Sequence, residues 1–139
     1  MPWAVPVMHW ATRYVGIPYV DGGRDVSGLD CWGVLQLVYR ERLKVDLPTY
    51  GDISARDLRR IAREIGSASD MWPWADAPVP REMDVAVMAA PGRRFPVHVG
   101  VVLRGGQLLH SEAASGCCIV QLADFSVRFR ILGYRRYIA

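Results

Sequence analysis

Three side chains in this sequence could do more than pack: Cys31, His98 and His110. A thiolate attacks carbonyl carbon, and an imidazole exchanges protons near neutral pH. Cys31 lies in "GLDCWG", directly after Asp30, where a helical pattern begins. At a helix start, unpaired backbone amides and the positive end of the dipole favour a thiolate and lower its pKa. Asp30 opposes this by its charge, although as an N-cap it directs that charge at backbone amides. The alternative is that Cys31 is a small buried residue, as free cysteines often are. Of the possible bases, His9 sits beside Trp10 in a first helical segment and reads as a surface or core residue. His98 and His110 sit at the start of one expected strand and the end of the next, in "HVGVVLRGGQLLH". A two-residue turn at Gly105 and Gly106 would set Arg104 opposite Gln107 and His98 opposite Ala113. A wider loop or a bulge would bring the two imidazoles together. Both then lie at one end or face of a sheet, within reach of a helix start, as a nucleophile, base and orienting group require.

The surrounding elements are legible from periodicity. Val5 to Val15 fits a short helix, ended by Gly16 and Pro18, and "YVDGGRDVSG" reads as a loop. Val34, Leu35, Leu37, Val38 and Leu43 recur at helical spacing, so a helix is expected over Cys31 to Leu43 with Asp30 as its cap. Ser54 and Asp57 resemble a capping box that opens a further helix over Ala55 to Ile65, closed by Gly66. "MWPWADAPVPREM" reads as an irregular crossing, either packed on the core or serving as a partner surface or lid. Short half-buried strands are expected at Val85 to Met88, Val97 to Leu103, Gln107 to Ser111 and Ile119 to Leu122, with a last one over Arg128 to Ile138. Helices first and strands afterwards predict an α+β fold with an antiparallel sheet.

Composition bounds the rest. The 139 residues suit a single domain spanning 1–139, with 51% hydrophobic and 22% charged residues, a globular balance. Three cysteines leave one thiol unpaired under any pairing, and Cys117 and Cys118 are too close in sequence for an unstrained bridge. Reduced thiols and folding in a cytoplasm are therefore expected. Adjacent strand residues point to opposite faces, so these two cysteines form no C-x-x-C knuckle; neither metal nor cofactor is expected. The start carries no signal-peptide pattern, and no apolar run suits a membrane span. The net charge is +3, with arginines gathered in "RDLRRIARE" and "RFRILGYRRY". These read as a solvated helix face and an exposed last strand, or as contacts for an acidic polymer or partner. No nucleic-acid-binding motif is present.

The pieces "GIPYVDGG", "GLDCWG" and "HVGVV" occur in that order, with Tyr19 twelve positions before Cys31 and His98 twelve before His110. In this the chain resembles the NlpC-type cell-wall peptidases, papain-like cysteine enzymes that cut peptidoglycan stem peptides. The resemblance runs from about Tyr14 to the C-terminus. It implies a papain-like fold, with Cys31 as nucleophile, His98 as general base and His110 as the group that orients His98. It also implies that Tyr19 and the Cys31 amide face the oxyanion, and that Asp30 caps the helix or binds a substrate amine. Trp32 stands where the family usually has serine, and could line the groove or pack in the core. "DCWG" resembles a subgroup found in phage tails and gene transfer agents. Met83 stands where a glycine commonly precedes Asp84. The expectation is an endopeptidase acting through a thioester on the γ-D-glutamyl–diaminopimelate bond. It would be made in the cytoplasm without a signal peptide, carried by tail-tip proteins and used in the periplasm of a target cell. The alternative is a tail-tip plug with the same fold and little turnover.

Overall fold

The computed structural model describes residues 9–47 and 74–138 of the chain. A small hairpin, β1 (Arg24–Asp25) and β2 (Gly28–Leu29), leads into the α-helix α1 (Cys31–Leu43). The strands β3 (Trp74–Asp76), β4 (Val85–Ala89), β5 (Pro96–Leu103), β6 (Gln107–Glu112), β7 (Gly116–Gln121) and β8 (Ile131–Tyr137) form a sheet in the order β3-β8-β4-β5-β6-β7. Each neighbouring pair is antiparallel. This is the expected α+β architecture; among the described residues the α-helix that packs on the antiparallel sheet is α1.

Helix α1 begins and ends where its sequence dictates. Asp30 is extended (φ −89°, ψ −172°) and its carboxylate accepts from the Gly33 N–H at 2.8 Å. Lys44, in the left-handed region at φ 58°, ends the helix and donates its N–H to the Tyr39 carbonyl. Residues Cys31 to Tyr39 are all buried, so the first turns are enclosed on every side rather than on one stripe.

The central strands are buried on both faces, which corrects the expectation of half-buried strands. Val85, Val87, Val99, Val101, Leu103 and Leu109 pack with α1. Their alternates Ala86, Met88, Val102 and Leu108 form a second, smaller core with Val127. A sheet covered on both sides has little use for polar alternation, hence the near-continuous apolar runs.

Other local expectations are corrected. Within the first segment the described structure is a 3₁₀ turn, Trp10–Tyr14, whose cap is His9: its Nδ1 accepts from the Ala11 N–H at 3.1 Å. The "YVDGGRDVSG" loop contains β1, and the aromatic crossing contains β3, paired with β8 from Trp74↔Tyr137 to Asp76↔Arg135. A 3₁₀ turn, Arg128–Arg130, precedes β8, which starts at Ile131. β7 starts at Gly116, three residues earlier than its apolar run suggests. The expected helix over Ala55 to Ile65 lies outside the described residues. β8 is an inner strand, and the arginines around it are committed within the fold: Arg130 pairs with Glu112, Arg135 with Asp76 and Arg136 with Asp84. Asp84 is 2% exposed and holds Arg136 through both oxygens, at 2.9 and 2.8 Å. Met83 adopts φ 77° without a glycine, and its N–H donates to the Val102 carbonyl.

Gly33 is dictated by close approach. A Cβ there would lie 2.1 Å from the Gly23 carbonyl oxygen, which is backbone and cannot swing away. Gly33→Ala is therefore expected to cost about 2–3 kcal/mol of stability, measured by urea unfolding; an unchanged midpoint would mean that the helix start and the preceding loop are not held as described.

Candidate active site

The β5–β6 register brings the two histidines together. The pairs are Leu103↔Gln107, Val102↔Leu108 and Val101↔Leu109. Three residues, Arg104 to Gly106, thus form the loop, which corrects the two-residue turn expected from "RGGQ". Gly105 and Gly106 both have positive φ, at 83° and 75°. Carried on past Val101, this register would turn Glu112, not Ala113, toward His98, with His110 as its diagonal neighbour on the same face. His98 Nε2 and His110 Nδ1 are 2.9 Å apart, with ring centroids at 5.1 Å. Gly100 lies between them along the face: a Cβ there would lie 3.2 Å from the His110 Cβ and 2.6 Å from a Leu108 methyl.

Cys31 approaches from the other side of the sheet. The Val102 N–H and C=O both bond to the segment entering β4, so those of Val101 and Val99 aim toward β6. Val101 pairs with Leu109, whereas the Val99 N–H lies near enough to the Cys31 sulfur to favour its thiolate. The Cys31 sulfur therefore lies beside Val99, the residue that follows His98. Among the described residues no hydrogen bond joins the Cys31 sulfur directly to His98. Such contacts are often loose before substrate binds. His98 Nε2 is engaged by His110, which leaves Nδ1 as the nitrogen available for a thiol proton.

The electrostatics fix the resting protonation. Burial, and then the Asp30 charge, push the Cys31 thiol up to about 12, against smaller opposing effects of the Val99 and Trp32 amides and of Arg24. This reverses the lowered pKa expected at a helix start: desolvation of the sulfur outweighs the dipole. Burial, and then His110 and Arg130, hold His98 well below the ordinary imidazole value of 6.5. The resting pair is thus a neutral thiol and a neutral imidazole.

The remaining expected site residues divide. Tyr19 is half-buried, and its phenol is pushed up by burial and then by Cys31 and Asp30, so it keeps its proton beside the sulfur. The Asp30 carboxylate is 4% exposed and fully engaged, with Gly33, with Gly22 N–H at 3.0 Å and with Arg24 Nη1 at 2.6 Å. Trp32 is 9% exposed and belongs to the main core. Cys117 is buried on the α1 face, and its N–H and C=O bond to Ile17 and Gly16. His9 stands apart as the cap of its 3₁₀ turn, with Nε2 3.4 Å from Glu82.

Two charged residues that the motif reading passed over join the site. Glu112 Oε1 lies 3.5 Å from both His98 Nε2 and His110 Nδ1, and Arg130 Nη1 lies 2.6 Å from that same oxygen. The period of a strand could have found Glu112, two residues beyond His110 on one face. No local signal points to Arg130. The two imidazoles and Glu112 offer three ligand-type atoms within 4.8 Å of one another, although the Arg130 guanidinium already supplies positive charge there.

A model of the NlpC/P60 family matches residues 16–136, which include Tyr19, Cys31, His98 and His110. The chain belongs to the NlpC/P60 family. It is 26% identical over 137 residues to a gamma-DL-glutamyl hydrolase of Bacillus subtilis, covering 96% of this chain and 29% of that one. The chain thus spans less than a third of that relative's length. Among solved NlpC/P60 structures, the domain of the peptidoglycan hydrolase SagA is 24% identical with a TM-score of 0.58, covering 90% of both chains. RipD of Mycobacterium tuberculosis, described as a non-catalytic NlpC/P60 protein adapted to peptidoglycan binding, is 15% identical with a TM-score of 0.60, covering 93% of this chain and 92% of its own. These two likenesses establish the NlpC/P60 fold.

Two predictions follow from the resting charges. Cys31 should react with iodoacetamide at pH 8 more than about tenfold slower in the native protein than in urea, and faster in Asp30→Asn, which keeps a capping side chain but removes the charge that opposes the thiolate; peptide mapping by mass spectrometry reads both. Unfolded histidines take up protons as pH falls through 6.5 while His98 does not, so stability is lost below that pH. The urea midpoint should fall from pH 7 to pH 5, less steeply in His98→Gln; a flat profile would mean that His98 is not buried neutral.

Proposed function

We propose that the chain is a cysteine endopeptidase of bacterial peptidoglycan that hydrolyses a γ-D-glutamyl–diaminopimelate bond of the stem peptide. The observation that carries this reading is the site itself: a sulfur at a helix start, beside the residue that follows His98, and a His98 imidazole whose Nε2 is engaged by a second histidine at 2.9 Å. The γ-glutamyl specificity draws support from the gamma-DL-glutamyl hydrolase relative.

In this reading His98 Nδ1 removes the thiol proton as Sγ attacks the γ-carbonyl carbon. Negative charge develops on the carbonyl oxygen, toward which the Cys31 backbone N–H and the Tyr19 hydroxyl donate. The C–N bond breaks, the leaving amine takes the proton from His98, and a thioester remains. Water, deprotonated by His98, then releases the γ-carboxylate and the thiol is restored. His110 orients His98 throughout. The "DCWG" variant supports a further part of the proposal, that the enzyme rides on tail-tip proteins of a phage-like particle, is made in the cytoplasm and acts in the periplasm of a target cell.

A second reading, a peptidoglycan-binding or tail-plug module without turnover, has one observation in its favour: the thiol is buried and pushed up to about 12. RipD supplies a non-catalytic precedent for the fold. Mass spectrometry of diaminopimelate-type peptidoglycan fragments, incubated with wild type and with Cys31→Ala, separates the two. New stem-peptide termini are expected from wild type alone, with turnover lowered at least about 10³-fold in the variant; intact fragments from both would favour the binding reading.

A further inference from the structure

The Glu112–Arg130 ion pair has no part in the mechanism above, yet it adjoins the histidine pair. Glu112 Oε1 is shielded from solvent, is 3.5 Å from each of the facing imidazole nitrogens, and accepts no well-aligned hydrogen bond. An anionic oxygen in that state is the natural partner for a positive charge that appears only transiently. Arg130 is fixed independently: its Nε donates to the Ala89 carbonyl of β4 at 2.9 Å. Its guanidinium is 2.6 Å from Oε1 and thus moderates the anion. For His98 to accept a thiol proton on Nδ1, its existing proton must sit on Nε2, aimed at His110 Nδ1 and passing close to Glu112.

We infer that Glu112 and Arg130 are positioning residues that set the basicity of the His98–His110 pair with opposite signs. Glu112 favours the imidazolium that forms when His98 takes the thiol proton. Arg130 restrains that effect and adds to the burial that keeps His98 neutral at rest. Without Arg130 the imidazolium would form more readily, and without Glu112 less readily. Other groups facing the pair leave this balance in place. From β4 the residue opposite His98 is Met88, which carries no charge. From β7 the residue opposite His110 is Cys118, whose thiol contacts Ser115 Oγ at 3.5 Å. From α1 the titratable group beside this stretch of β5 is the Cys31 thiol, which is neutral at rest. The role in a reaction rests on the peptidase reading above, but the opposed effects on the imidazoles do not.

The experiment is an NMR pH titration of the three histidines, ¹³C-labelled at Cε1, in wild type, Glu112→Gln and Arg130→Gln, with thermal unfolding to establish that each variant folds. Glu112→Gln should lower the apparent midpoint of the His98–His110 pair by about one pH unit and Arg130→Gln should raise it by a similar amount. The double variant should return toward wild type, and His9 should not move. Where turnover is measured, the acid limb of kcat/KM should shift in the same two directions. A merely structural ion pair would lower stability in both variants and leave the midpoints in place. Unmoved midpoints, or shifts of the same sign, overturn the inference, and where one variant does not fold the sign in the other decides. Because the titration needs no substrate, opposed shifts without turnover would keep this inference and overturn the peptidase reading, whereas turnover without opposed shifts would do the reverse.

Discussion

The Asp30 carboxylate accepts from Gly33 N–H, Gly22 N–H and Arg24 at 2.8, 3.0 and 2.6 Å, so one buried anion ties the helix start to the loop that precedes it. The placement of the sulfur depends on that tie. With the cap in place, Gly33 packs against the Gly23 carbonyl, and the chain before it is clamped by the Leu29 N–H to Pro18 and the Val20 N–H to Leu29. Tyr19 lies between those two clamps, which is how it comes to face the sulfur. The same charge that organises the site also disfavours the thiolate, and Arg24 only partly offsets it. Removing the carboxylate would break its ion pair with Arg24 and take the shared acceptor from the Gly33 and Gly22 N–H groups.

Burial then decides the chemistry. A thiol pushed up to about 12 beside an imidazole held below its ordinary range forms no stable ion pair at rest. In the proposed mechanism charge separation is created only during attack, favoured in a site of low dielectric by donors at the helix start and the carboxylate behind the imidazole. This arrangement trades a reactive resting nucleophile for a protected one. It also explains why the electrostatics behind His98 matter more here than in a site where the ion pair is already formed.

Much of this was legible in the sequence, and the failures have physical causes. Helix α1 was readable to the residue because its cap and its apolar period agree. The strands were found by their apolar runs, but those runs hid the two-sided burial, since periodicity cannot distinguish an inner strand from one side of a sandwich. The hairpin register was off by one because two adjacent glycines suit both a two-residue turn and the last positions of a three-residue loop. That single step decides whether Glu112 or Ala113 faces His98. β3 was missed because prolines and tryptophans around it resemble a crossing, whereas its pairing with β8 is a tertiary fact. Arg130 was unreadable for the same reason: only the path from β7 to β8 brings it beneath Glu112.

The glycine of "HVGVV" links these levels. Val102, on the face away from α1, pairs with Leu108, and His98 and Gly100 share its side of β5 by alternation. Cys31 packs on the α1 face of the sheet, whereas His98 alternates to the other. Any side chain at residue 100 would enter the space taken by Leu108 and the His110 Cβ, and would lever His110 away from Nε2 of His98. The motif thus encodes a base, a gap and a core residue in strict alternation. His110 reaches His98 across that gap from a diagonal position, and the interval of twelve between them is the length of β5 beyond His98, the three-residue loop and the return strand. The spacing that makes the family recognisable is the one that a twisted antiparallel pair needs to stack two imidazoles on one face.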